Sequence, residues 1–201
     1  MQYWHNLITE KSFQLLKELK RNYDFILIGG WAVFLYTKAL KSKDIDIIIE
    51  CEELSKIKEK LDVFKNSRLK KYEAKRNGVD IDIYIPYFSN PGLAAEEIKK
   101  FVISKEGFKV PFLEILLILK QKVFKQRENT PKGNKDKLDI FSILILKEFN
   151  WQRYKKILKR YKIENLLEEL KNLLKKTFEI KELNLSRHKI AKLKKEILNK
   201  L

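Results

Sequence analysis

The spacing of hydrophobic residues predicts a mixed first part of the chain. Apolar positions at helical intervals predict an amphipathic helix over residues 9–21. The continuous apolar run 25–28 is typical of a strand buried on both faces, and residues 31–36 begin a second helix. The β-branched run 45–49 predicts another strand, and apolar residues spaced along 54–61 predict a third helix.

A hairpin is the clearest local signal in the sequence. The segments Leu69–Lys75 and Val79–Ile85 flank Asn77-Gly78, a pair favoured by a type I′ turn because both positions need positive φ. The second arm alternates strictly, and Pro86 ends it. One face of this arm holds Val79, Ile81, Ile83 and Ile85. The other face holds Asp80, Asp82 and Tyr84.

Helical patterns dominate the rest of the chain. A helix opened by Pro91 is predicted over residues 91–101, followed by a short extended piece over 107–110. Further helices are predicted over residues 112–127, 135–148, 150–161, 163–178 and 186–200. We therefore predict an α+β fold, with a mixed sheet and flanking helices in a domain of residues 1–110 and a helical domain of residues 111–201.

The residue types restrict the metal chemistry. A single cysteine, Cys51, excludes an intramolecular disulfide and a multi-thiolate zinc site. The two histidines, His5 and His188, lie at opposite ends and form no ligand pair. Any metal must therefore be held by carboxylate oxygens, which favours magnesium or manganese.

No segment suggests export or a membrane span. The start, Met1-Gln2-Tyr3-Trp4-His5, does not resemble a signal peptide. The most apolar stretch, Phe112–Leu119, is far too short to cross a bilayer. We therefore expect a cytoplasmic protein without membrane contacts.

Positive charge is concentrated at the end of the chain. The net charge is +17, and residues 147–201 alone carry 17 basic and 7 acidic side chains, a net +10. Such a surface attracts nucleic acid or nucleotide phosphates, but a solvated lysine-rich helical surface would have the same composition.

Three features of the first domain suggest phosphate and metal chemistry. Gly29-Gly30 follows a buried strand and opens a helix, where the backbone can approach phosphate oxygens and free N–H groups point outward. Asp44 and Asp46, two apart on a strand, project from one face about 7 Å apart. The second hairpin arm supplies a third carboxylate, Asp82 or Asp80. Carboxylates gathered in this way can share divalent cations that activate a hydroxyl and stabilise a leaving pyrophosphate.

The same residues resemble the motifs of the nucleotidyltransferase superfamily. Its pattern of Gly-Gly or Gly-Ser, then Asp-x-Asp, then a distant strand Asp is matched by Gly29-Gly30-Trp31, Lys43-Asp44-Ile45-Asp46 and the strand from Val79 to Ile83. The resemblance implies that Asp44, Asp46 and Asp82 are the catalytic, metal-binding residues. It also implies that Gly29, Gly30 and Trp31 contact the NTP. Asp82 is preferred because the family's third aspartate lies well inside its strand, with Asp80 as the alternative.

A second resemblance concerns the helical part. Lys120, Arg127 and the segment Lys135-Asp136-Lys137-Leu138-Asp139 are similar to the Lys…Arg…Lys-Asp…Asp pattern of AbiEii-type nucleotidyltransferases, although the spacer 128–134 is longer here. That family includes toxins that transfer nucleotides onto tRNA. The resemblance implies that Lys120 and Asp136 belong to the active site, with Asp139 nearby. Lys120 and Arg127, seven residues apart on one helix face, could both act as charges for the triphosphate.

These observations predict an enzyme that transfers a nucleoside monophosphate from an NTP to an acceptor hydroxyl, using magnesium or manganese. The basic C-terminal part favours RNA as the acceptor. The AbiEii-type resemblance implies that this RNA is tRNA and that the protein is a toxin-type enzyme with an antitoxin partner. A protein or small-molecule acceptor is the alternative within this chemistry. A non-catalytic RNA-binding protein on the same fold and a metal-dependent nuclease are alternatives from other classes.

Overall fold

The computed structural model describes residues 2–201, with side chains from residue 7 onward. The opening residues Met1 to His5, on which the expectation about a signal peptide rests, lie outside the described side chains. The chain forms two compact units, one ending at Phe112 and one spanning Leu113–Leu201. Within residues 2–201, no helix combines the length and the apolar character that a membrane span requires.

The first unit is a mixed sheet with helices. Its elements in chain order are α1 Gln2–Asn22, β1 Ile26–Ile28, α2 Gly29–Thr37, β2 Ile45–Ile48, α3 Cys51–Lys58, β3 Val63–Asn66, β4 Lys71–Arg76, β5 Val79–Tyr84, α4 Ala95–Ile98, β6 Val102–Lys105 and β7 Phe108–Pro111. The strand order is β3-β4-β5-β2-β1-β7-β6. β2 pairs with β5 in parallel and β1 with β7 in parallel, whereas the other neighbours are antiparallel.

The centre of this sheet follows from the apolar pattern of its strands. Ile45 and Ile47 of β2 and Ile81 and Ile83 of β5 are completely or almost completely buried. Asp46 and Asp82 alternate with them and are only half-buried, so they lie on the other face of the same strands. The alternation therefore places both aspartates on one face of the sheet centre.

The predicted hairpin is confirmed. Asn77 and Gly78 both have positive φ, 53° and 79°, as a type I′ turn requires. The two-residue turn pairs Arg76 with Val79, and the ladder continues from there along β4 and β5.

The helix predicted over residues 91–101 is wrong for most of its length. Only Ala95–Ile98 is helical. Gly92 has φ of 125°, outside the helical region, and its N–H donates to Oδ1 of Asn90. The segment opened by Pro91 is therefore a turn that precedes a short helix.

The second unit is helical. Its elements are α5 Leu113–Arg127, α6 Pro131–Leu144, α7 Trp151–Arg160, α8 Asn165–Lys176, a 3₁₀ turn Lys181–Leu183 and α9 Arg187–Leu198. The helix predicted over residues 135–148 begins earlier, at Pro131, because the Thr130 side chain caps it by accepting from the Gly133 N–H. Asn150 caps α7 in the same way, accepting from the Arg153 N–H. The second half of the polar spacer 128–134 thus forms the first turn of α6.

Candidate active site

Gly29 and Asp46 approach each other closely at the end of β1. Ile28 pairs with Asp46 across the sheet, and α2 begins at Gly29 immediately afterwards. Gly29 has φ of +67°, and a Cβ atom built on it would lie 2.0 Å from Oδ2 of Asp46. Only glycine fits here, for both reasons. The Asp46 carboxylate is thereby packed against the first turn of α2, where helix N–H groups lack partners within the helix.

Trp31 contributes to this first turn through its backbone. Its side chain is 1% exposed, and the indole Nε1 donates to Oγ of Ser12 at 2.8 Å. The ring packs against Phe13 and Phe34, with centroids 5.0 and 5.4 Å away. Because the indole is buried, Trp31 could contact a nucleotide only through its backbone N–H. The indole itself packs α2 against α1.

Asp46 and Asp82 are direct neighbours on adjacent strands. The parallel pairing of β2 and β5 places Asp46 opposite Asp82, so both side chains lie on the same face. Asp44 is the residue immediately before β2, which begins at Ile45. Burial raises the pKa of Asp82, the Lys71 ammonium opposes that rise, and the carboxylates of Glu73 and Asp44 add to it. The Asp44 charge is thus close enough to act on Asp82.

Lys71 is a site residue that the sequence reasoning missed. Its Nζ donates to Oδ2 of Asp82 at 2.6 Å and lies 2.9 Å from Oε1 of Glu73. Burial lowers the pKa of Lys71, but hydrogen bonds to these two carboxylates reverse the effect, so the pKa is raised. The hairpin register already pairs Glu73 with Asp82, and Lys71 lies two residues before Glu73 on the same face. Counting back from Asn77-Gly78 would have found both residues.

Asp80 lies at the rim of the same face. It pairs with Lys75 in register, and the ion pair between them spans 3.3 Å. Both side chains are mostly exposed, 61% for Asp80 and 68% for Lys75. The pairing of β2 with β5 begins at Ile81, one residue beyond Asp80. The structure therefore brings Asp82, rather than Asp80, directly beside Asp46.

The aspartates fit a hard divalent cation in their chemistry, but they do not enclose one as a set of three. Asp46 offers carboxylate oxygens beside the start of α2, and Asp44 lies two residues before it in the sequence. Carboxylate oxygens suit magnesium or manganese. Among the side chains described from residue 7 onward, no group of three or more His, Cys, Asp or Glu side chains is placed to hold one metal ion. The Lys71 contact occupies an oxygen of Asp82. Only Oδ1 of Asp82 is therefore outside this contact with Lys71.

The residues predicted from the second resemblance form one cluster in the helical unit. Lys120 Nζ lies 3.2 Å from Oδ1 of Asp136 and 2.6 Å from Oδ2 of Asp139. Arg127 Nε donates to Oδ2 of Asp136 at 2.7 Å. The contact between Lys120 and Asp139 is an ion pair without hydrogen-bond alignment, so among the described residues neither oxygen of Asp139 has a hydrogen-bond partner.

The carboxylates of this cluster are buried, so each needs a partner of opposite charge. Asp136 and Asp139 are each 1% exposed, and Lys120 is 11% exposed. Two cations balance two carboxylates, so the cluster is formally neutral. A Cβ on Gly133 would lie 2.0 Å from the Arg127 carbonyl oxygen, so glycine lets α6 start close to the end of α5. The structure thus brings Lys120, Arg127, Asp136 and Asp139 into contact. The Lys120 ammonium mainly neutralises the two buried aspartates.

The basic C-terminal part presents its charges outward. On α7, Tyr154, Ile157 and Leu158 are buried, whereas Lys156, Lys159 and Arg160 are exposed. On α8, Leu166, Leu170, Leu173 and Leu174 are buried, and Leu167 is half-buried.

Comparison with known proteins identifies the fold. No protein-family model matches the chain, and no curated protein does. Among solved structures, an antigenic nucleotidyltransferase-like protein from Paracoccidioides brasiliensis superposes with a TM-score of 0.52 at 18% identity, over 94% of this chain and 92% of that chain. JHP933 from Helicobacter pylori superposes with a TM-score of 0.55 at 15% identity, over 98% of this chain and 90% of that chain.

The chain therefore has a nucleotidyltransferase-like fold, with a mixed sheet followed by a helical region. The predicted fold class is confirmed. At these identities the likeness concerns the fold, and the chemistry has to be argued from this chain's own residues.

Proposed function

We propose that this protein is a divalent-cation-dependent nucleotidyltransferase that moves a nucleoside monophosphate from an NTP to a hydroxyl group of RNA. The observation that carries the proposal is the close approach of Gly29 and Asp46, in register with Asp82. It brings carboxylates beside a helix start whose N–H groups can donate to phosphate oxygens. The nucleotidyltransferase-like fold supports the same chemistry.

The proposed reaction forms one bond and breaks one bond. The acceptor hydroxyl oxygen attacks the α-phosphorus, the bond from that phosphorus to the bridging oxygen breaks, and pyrophosphate leaves. Backbone N–H groups at the start of α2 would hold phosphate oxygens. Asp82 would orient the acceptor hydroxyl and take its proton.

Asp44 and Asp46 would hold the divalent cation, with Asp82 as the third carboxylate of the site. When bound, magnesium or manganese supplies charge stabilisation for the reacting phosphate and the leaving pyrophosphate. Lys120 and Arg127, with Asp136, are proposed to belong to the nucleotide site on the AbiEii-type resemblance alone. Of these two cations, Arg127 keeps more of its side chain in solvent, 35% against 11%.

The basic helices support RNA as the acceptor. Residues 147–201 carry a net +10, and Lys156, Lys159 and Arg160 of α7 are exposed. Such a surface binds phosphate backbones without sequence preference. We propose tRNA as the acceptor and a toxin-type role with an antitoxin partner, both from the resemblance to AbiEii-type enzymes.

Labelling identifies the acceptor directly. The protein is incubated with each α-³²P-labelled NTP in turn, Mg²⁺, total RNA and cell extract, and the products are treated with ribonuclease or protease before electrophoresis. We expect label in a tRNA-sized, ribonuclease-sensitive band, and no label with an Asp46→Asn preparation. Protease-sensitive or low-molecular-weight label would replace RNA with a protein or small-molecule acceptor. Absence of label under all four NTPs would contradict the proposed activity.

A further inference from the structure

Lys71 is held in place by three strands. Its ammonium group contacts Asp82 and Glu73 at 2.6 and 2.9 Å, and its side chain is 13% exposed. Glu73 is itself fixed, because Nδ2 of Asn66 on β3 donates to its Oε1 at 3.1 Å. Asn66 pairs with Lys71 in register at this edge of the sheet. Lys71 is therefore held by fixed partners on neighbouring strands and is not a solvated surface cation.

The same two strands provide a natural comparison. Lys75 lies four residues further along β4 and contacts Asp80 of β5, so the residue types and the strand pair are identical. That pair spans 3.3 Å and both side chains are more than half exposed. Pairs of this exposed kind contribute little to stability or to geometry. The enclosure of Lys71 thus distinguishes it from an ordinary cross-strand ion pair.

We propose that Lys71 is a positioning residue that keeps Asp82 out of the metal coordination sphere. Its ammonium holds Oδ2 of Asp82, and Oδ1 is left for the acceptor hydroxyl. Asp44 and Asp46 then carry the cation without Asp82 as a full ligand. The inference rests on the proposed function and assigns different tasks to its three aspartates.

Metal binding without substrates tests the inference. Binding of Mn²⁺ to the full-length protein is followed by electron paramagnetic resonance of the free ion, in the absence of NTP and RNA. Lys71→Met is expected to bind Mn²⁺ about tenfold more tightly, because Asp82 becomes free to ligate and partners of metal ligands tune affinity by about 10- to 100-fold. Lys71→Arg keeps the cation and is expected to resemble the wild type. Lys75→Met, the matched control, is expected to change the affinity less than twofold.

A double-substitution cycle separates this effect from simple removal of a positive charge. In an Asp82→Asn background, Lys71→Met is expected to change Mn²⁺ affinity less than twofold. An equal gain with and without Asp82, or no gain in Lys71→Met, would overturn the inference. If Lys71→Met does not fold, Lys71→Ala also removes the contact with Asp82, and the same outcomes apply.

Failure of the inference remains distinct from failure of the proposed function. The readout is metal affinity, so it does not require nucleotide transfer. Unchanged Mn²⁺ affinity in Asp46→Asn would contradict the proposed metal site itself. If Asp46→Asn weakens Mn²⁺ binding but Lys71→Met leaves it unchanged, only the proposed role of Lys71 is contradicted.

Discussion

A Cβ atom at Gly29 would lie 2.0 Å from Oδ2 of Asp46. This relationship joins the end of β1, the start of α2 and an aspartate of β2 in one place. It leaves no room for a side chain between the helix N-terminus and the carboxylate. The proposed cation and phosphate contacts both depend on that close approach.

Gly29→Ala is expected to abolish most activity at a moderate loss of stability. The φ of +67° costs an alanine about 1–2 kcal/mol, and the added methyl group displaces the Asp46 carboxylate. Gly78→Ala is the matched control, because Gly78 has φ of +79° but no atom within 4 Å of its added Cβ. Urea unfolding should show a similar backbone cost for both, whereas transfer assays should show at least a tenfold loss for Gly29→Ala only. Equal activities would separate Gly29 from the site.

Asp82→Asn is expected to cost far more activity than Asp80→Asn. Asp82 lies beside Asp46 on the parallel strand, whereas Asp80 is 61% exposed at the rim. Loss of a proton acceptor costs on the order of 100-fold or more in kcat, and Asp80→Asn should cost less than threefold. Steady-state kinetics of both variants provides the comparison. The opposite ranking would make Asp80 the third carboxylate, and negligible losses in both would remove β5 from the site.

Lys120→Met is expected to destabilise the helical unit by about 3–5 kcal/mol. It would leave Asp136 and Asp139, each 1% exposed, with only Arg127 as a counter-charge. Lys125→Met on the same helix is the control, because the Lys125 side chain is 63% exposed and its ion pair with Glu169 is a surface one. Urea unfolding measures both. A loss below 1 kcal/mol would contradict the structural role of these ion pairs, whereas a raised KM for NTP would support the proposed place of Lys120 in the nucleotide site.

Neutralising the outward charges of the basic tail is expected to weaken RNA binding and flatten its salt dependence. Each phosphate contact that is lost reduces the number of released counterions, whereas NTP affinity should change little. RNA and NTP titrations at two salt concentrations measure both effects. The test variant replaces Lys156, Lys159, Arg160 and Lys162 with glutamine, and the control replaces Lys60, Lys70, Lys100 and Lys109. An unchanged RNA slope in the test variant would identify the tail as a solvated surface and favour a protein or small-molecule acceptor.

Much of the site's strand geometry could be predicted because it depends on local rules. The Asn77-Gly78 turn sets the register of β4 and β5, and strict alternation places Asp80 and Asp82 on one face. The apolar run before Gly29-Gly30 correctly indicates a buried strand leading into a helix. Periodicity alone was sufficient for these elements.

Other parts depend on contacts between distant segments. The parallel pairing of Asp46 with Asp82 joins strands separated by α3, β3 and β4, and no local pattern specifies it. The edge strands β3 and β6 were missed because each is short and only partly buried, so neither shows a full apolar alternation. Lys71 was overlooked because a lysine two residues from a glutamate is common on exposed strands, and its burial appears only in the folded sheet.

The most direct measurement is Mg²⁺-dependent pyrophosphate release from NTP in the presence of total RNA, compared between wild type and Asp46→Asn. Asp24→Asn is the control, because Asp24 lies in the same unit with its side chain 69% exposed. We expect Asp46→Asn to lose activity by at least 100-fold, with a thermal midpoint unchanged or higher because like-charge crowding is relieved, while Asp24→Asn remains active. Wild-type pyrophosphate release in a folded Asp46→Asn protein would contradict the assignment of these aspartates to a nucleotidyltransferase site.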